Sequence, residues 1–127
     1  MKMIVEFAAS ITPGVHTATI TEIKSIDTSY GKALKFFFSV NDIESNPNDE
    51  PQEFITNGIC SANRLTPDTK LYQWLSILNG RKLDNKEEVD LDKYIGKNVE
   101  ILVVNSEREG REYSNVTEII KVAEIPF

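Results

Sequence analysis

One amphipathic helix, set between three strand-like segments and two more, restricts this chain more than any other feature. Within 66–80, Leu71, Trp74, Leu75 and Leu78 recur at i, i+3, i+4 and i+7 and form a single apolar stripe. Thr66 reads as the N-cap, Pro67 as the first helical residue and Asp68 as an acid complementing the helix dipole. Gly80 supplies the stop. On both sides of this helix the apolar period falls from 3.6 towards 2, the signature of strands.

The clearest strand is 33–40, where Leu34, Phe36, Phe38 and Val40 share one face and Lys35, Phe37 and Ser39 the other. Before it, 15–26 alternates Thr17, Thr19 and Thr21 with Ala18 and Ile20. The apolar phase then moves to Ile23 and Ile26, which predicts a bulge. The segment 27–31 reads as a turn, and the polar loop 41–53, with Pro47 and Pro51, precedes a third strand at 54–62. After the helix, 91–96 reads as a helical turn. A fourth strand at 99–105 carries apolar residues on both faces, 107–110 forms a hairpin turn, and a fifth strand spans 111–122. Five strands with one helix between the third and fourth is the connectivity of the OB-fold, an otherwise all-β Greek-key barrel. Closure also removes the exposed edges that an open sheet this apolar would present. The 127 residues fit one such domain, 1–122, followed by a short C-terminal tail, 123–127.

Net charge is -6, but its distribution is uneven. The loops 41–53 and 84–92 hold ten of the twenty acids and only one of the fourteen bases, which leaves +3 on the remainder. A weakly basic groove can therefore exist on an acidic molecule, because exposed charges are screened within about 8–10 Å at physiological salt. Cys60 stands alone, which excludes an intrachain disulfide and suits a reducing cytoplasm. The apolar patch in 1–10 is interrupted by Glu6 and too short for a signal-peptide core. No window approaches the roughly 18 apolar residues of a membrane span.

An OB-fold binds along the outer face of strands two and three, flanked by the one-two and four-five loops. Lys35 and Phe37 fall on that face, Lys24, Tyr30 and Lys32 in or beside the one-two loop, and Arg108, Arg111 and Tyr113 at the four-five hairpin. Cations interleaved with aromatics are what phosphate tracking and base stacking require, so the expected ligand is single-stranded nucleic acid, most simply DNA. The plainer alternatives are that Phe37 is core, that Arg108 and Arg111 pair across the hairpin with Glu107, Glu109 and Glu112, and that Lys70 is merely solvated. Trp74 is expected in the core. No catalytic role is expected: His16 is the one histidine, no thiolate metal site can form, no glycine-rich phosphate loop is present, and Asp90 and Asp92 read as helix-start residues. No cofactor is expected.

Gly14-Val15 with the threonine-rich first strand, Tyr30-Gly31-Lys32, and Leu34-Lys35-Phe36-Phe37-Phe38 resemble the small single-stranded-DNA-binding proteins of bacteriophages. Lys70-Leu71-Tyr72, Leu78-Asn79-Gly80, Gly96-Lys97 and Tyr113-Ser114-Asn115-Val116 extend the resemblance over most of the chain. It implies a non-enzymatic, sequence-independent DNA-binding role in replication or recombination, in the host cytoplasm. The terminal Ile125-Pro126-Phe127 resembles the end of bacterial single-stranded-DNA-binding proteins, which recruits replication and repair partners. Here Glu124 alone replaces the acidic run that precedes the tripeptide in that family. Expected partners are thus single-stranded DNA and replication or recombination proteins, with no membrane and with a homodimer left open. The rival expectation is an OB-fold adaptor that binds a host or phage protein without nucleic acid.

Overall fold

The computed structural model describes residues 1–3, 11–40 and 54–123. The apolar patch at the N-terminus, the loop 41–53 and the tail residues Ile125, Pro126 and Phe127 lie outside the described residues. The elements run β1 (Gly14–Thr28), β2 (Gly31–Val40), β3 (Phe54–Ser61), α1 (Lys70–Asn79), a 3-10 turn (Leu91–Tyr94), β4 (Asn98–Arg108) and β5 (Arg111–Val122). The strands form one closed sheet in the order β1-β2-β3-β5-β4, with β1 returning to pair with β4. All neighbours are antiparallel except β3 and β5, which meet in parallel at Asn57 and Asn115.

β1 closes the sheet because it serves two neighbours. Its first half pairs with β4, from Gly14 opposite Val103 to Thr19 opposite Asn98, and its remainder runs along β2. The expected bulge is present: the register steps from Ile20–Phe38 to Glu22–Phe37, leaving Thr21 over. The extra residue bends and coils the strand, which lets Ile20 before it and Ile23 after it both turn inward.

Inside the sheet, Phe36, Phe38, Ile20, Ile101 and Val103 are buried. α1 packs across β3 and β5, and its stripe of Leu71, Trp74, Leu75 and Leu78 is buried as the spacing predicts. Trp74 meets Phe36 edge-on at 5.2 Å between ring centres and Phe38 at 6.2 Å, so it is core. Gly58 makes room for it, since a Cβ there would lie 2.7 Å from both the Trp74 ring and the Val116 carbonyl oxygen.

The start of α1 differs from the expectation. Thr66 is not the N-cap and Pro67 is not helical: the helix begins at Lys70 and its N-cap is Thr69, whose hydroxyl accepts from the Tyr72 N–H. The Thr66 hydroxyl is already bonded to Asp68 and its carbonyl to Thr69, so 66–69 closes on itself as a separate turn. Asp68 is spent in that turn and against Arg64, not on the helix dipole. The C-terminal stop at Gly80 agrees, with φ 79°. Asp90 caps the 3-10 turn by accepting from the Asp92 N–H. β4 is buried on one face only, where Val99, Ile101 and Val103 point in; Leu102 is half-buried and Val104 exposed, because nothing described packs over the outer face there.

Candidate functional site

The outer face of β2 presents Lys35 and Phe37, both half-buried. Strand alternation puts them there once Leu34, Phe36 and Phe38 commit to the interior. On the adjoining β1, Lys24 stands across from Lys35 and Glu22 across from Phe37. Two ammonium groups consequently converge on one ring: Lys35 Nζ lies 5.2 Å and Lys24 Nζ 5.9 Å from the Phe37 centroid. Like charges directly opposite are unfavourable. The Phe37 ring and the Glu22 carboxylate, 3.5 Å from Lys24 Nζ, offset that repulsion.

β3 completes the platform with residues that sequence reasoning missed. Ile59 faces Lys35, Asn57 faces Phe37 and Ile55 faces Ser39. Ile55 is 58% and Ile59 45% exposed. The signal was the pattern 54–61 itself: Thr56, Gly58 and Cys60 alternate with the isoleucines and are buried, and Trp74 fills the space beside Gly58. Lys70 borders this face, donating to the Ile59 carbonyl at 3.2 Å while lying 4.7 Å from the Trp74 ring centre. It is therefore held in place, not merely solvated.

At the one-two turn, Tyr30 is 92% exposed, while Lys32 stands across from Asp27 on the alternate face of the pleat from Lys35. The structure thus brings Lys24, Lys35 and Phe37 together and turns Lys32 away from them. Thr28 shapes the turn, its hydroxyl donating to the Gly31 carbonyl and accepting from the Tyr30 N–H.

The four-five hairpin lies at the other end of β3. Asn57 adjoins Asn115, and β5 runs back from there past Tyr113 to the tip. By strand spacing and rise, Tyr113 is on the order of 12 Å from Phe37. In the register of the hairpin Arg108 stands directly across from Arg111, and Glu107 directly across from Glu112. Alternation then sorts charge by face. Both arginines lie with Ser106 and Tyr113 on the outer side, and both glutamates lie on the reverse. The turn is the two residues Glu109 and Gly110, with φ of 54° and 77°, the left-handed pair that matches strand twist.

Burial pushes the Cys60 thiol up to about 11, against a smaller opposing pull from Lys70, which leaves it a poor nucleophile. His16 Nε2 faces the Thr12 carbonyl oxygen. Among the described residues, no three His, Cys, Asp or Glu are grouped to hold a metal ion, and no helix is long and apolar enough to cross a membrane. No family model and no curated protein matches the chain.

Proposed function

We propose that the closed sheet is an OB-fold Greek-key barrel and that the outer face of β2 and β3 binds single-stranded DNA without sequence preference. The observation that carries this reading is the convergence of Lys24 and Lys35 on Phe37. A ring flanked by two ammonium groups stacks a base on its open face while the cations meet the adjoining phosphates, and none of these contacts reads a base edge. The hairpin supports the reading, because its arginines and Tyr113 share the outer face while Glu107 and Glu112 do not. The biological setting would be phage replication or recombination, with Ile125, Pro126 and Phe127 recruiting a replication protein. Deleting those three residues should leave DNA affinity intact and abolish capture of that partner.

A second reading is favoured by Ile55 and Ile59, whose exposed side chains beside Phe37 also suit a protein surface. In that case the chain is an adaptor with no nucleic-acid ligand. Titration with oligothymidine separates the two. The DNA reading requires saturable binding that weakens steadily with added salt, and stronger binding to single-stranded than to duplex DNA. No binding at low salt leaves the adaptor.

A further inference from the structure

Asn63 lies two residues beyond β3, outside every segment assigned to binding above, yet its side chain reaches across to the one-two turn and, together with Thr28 inside the turn, ties it down. Its Oδ1 accepts from the Lys32 N–H at 2.9 Å and its Nδ2 donates to the Tyr30 carbonyl at 3.0 Å. One side-chain amide therefore satisfies backbone groups on both sides of Gly31. The neighbouring Ala62 N–H donates to the Lys32 carbonyl at 2.8 Å, so the end of β3 is laced to the turn at three points. Gly31 is fitted to this arrangement, because it has φ 114° and a Cβ on it would run into the Asn63 amide. What the lacing holds is a backbone with nothing packed on its side chain: the Tyr30 ring is 92% exposed.

A tyrosine this exposed adds nothing to the core, and a turn fastened by both faces of one amide is more ordered than an exposed loop tip requires. We propose that Asn63 is a positioning residue that keeps the Tyr30 turn in its binding-ready shape, so that the ring stacks on an unpaired base without first having to be ordered. The inference rests on the DNA-binding reading and extends it to a residue that itself touches no ligand. The physical basis is preorganisation: ordering completed during folding is not charged against binding.

The test is a double-mutant cycle on oligothymidine affinity with Tyr30→Ala, Asn63→Ala and the pair, each checked for an unchanged thermal melt. Asn63→Asp serves as a second probe, because its carboxylate still accepts from Lys32 but cannot donate to the Tyr30 carbonyl. Asn63→Ala and Asn63→Asp should each weaken binding about three- to tenfold, the scale of one newly immobilised group. The double variant should bind within about twofold of Tyr30→Ala alone, because a ring already removed cannot be mispositioned. Losses that simply multiply, or wild-type affinity in both Asn63 variants, would overturn the inference while leaving the DNA-binding reading in place. Failure of the wild-type chain to bind would instead overturn that reading and this inference with it. Should Asn63→Ala not fold, the same cycle run on Asn63→Asp decides the matter.

Discussion

The ammonium of Lys35 sits 5.2 Å from the centre of the Phe37 ring two residues along the same strand face, and Lys24 reaches the same ring from β1. The ring is half-buried while its neighbours Phe36 and Phe38 are fully enclosed. Phe37→Ala should therefore weaken oligothymidine binding by about 1–3 kcal/mol, one stacking increment. Its stability should fall far less than that of Phe36→Ala, where about 3–5 kcal/mol is expected. Fluorescence titration and urea denaturation of both variants check this. A Phe37 variant that unfolds as readily as the Phe36 variant would place the ring in the core.

The two lysines act on DNA chiefly through phosphates. Lys24→Gln and Lys35→Gln should each weaken binding to all single-stranded sequences alike. Each should also reduce the slope of log affinity against log salt by about 0.7 for every phosphate that is no longer neutralised. Binding measured across a salt series reads both effects at once, and an unchanged slope would remove that lysine from the interface.

Gly58 has no spare space, because a Cβ would stand 2.7 Å from the Trp74 ring and from the Val116 carbonyl oxygen. Gly58→Ala should destabilise the fold by about 1–3 kcal/mol, the range for overpacking a filled interior. The denaturation midpoint should drop without a change in slope, while Ser61→Ala, at an exposed position on the same strand, should stay near wild type.

Arg81 and Glu87 form a two-pronged ion pair at 2.9 and 2.8 Å, and Glu87 also accepts from the Asp84 N–H. The Arg81 hydrogen bonds, followed by the Asp84 N–H, hold the Glu87 carboxyl down at about 2 from an ordinary 4.5. A carboxyl more acidic in the folded state makes the unfolded chain take up protons first as pH falls. The stabilisation is thus complete above about pH 4.5 and drains away towards pH 2. The stability gap between wild type and Glu87→Gln should close over that window, and Arg81→Gln should lose most of the pH dependence.

Much of the fold is legible in the sequence because it is written in local periods. The faces of β2, the stripe on α1, the bulge implied by the shift from Ile20 to Ile23, and the extent of β5 all follow from which neighbours in the chain are apolar. The helix start escapes such a reading by one turn because Thr66 and Thr69 are equally good caps in isolation. The choice between them depends on Thr66 being occupied by Asp68. For the candidate site, Lys35 and Phe37 follow from alternation, whereas the place of Lys24 across from Lys35 and the turning away of Lys32 depend on the β1–β2 register.

By itself, then, the sequence determined which residues form strands, where the one helix lies, and which face of β2 turns inward, since each is set by side chains a few positions apart. Tertiary structure alone decided what stands beside what. Trp74 enters from α1 and fills the space beside Gly58 of β3. The β4–β5 register sets arginine against arginine, and Asn63 crosses from the end of β3 to fasten the turn that carries Tyr30. Contacts between residues remote in the chain are selected by how the whole interior packs and by which backbone groups pair, and no local pattern encodes either.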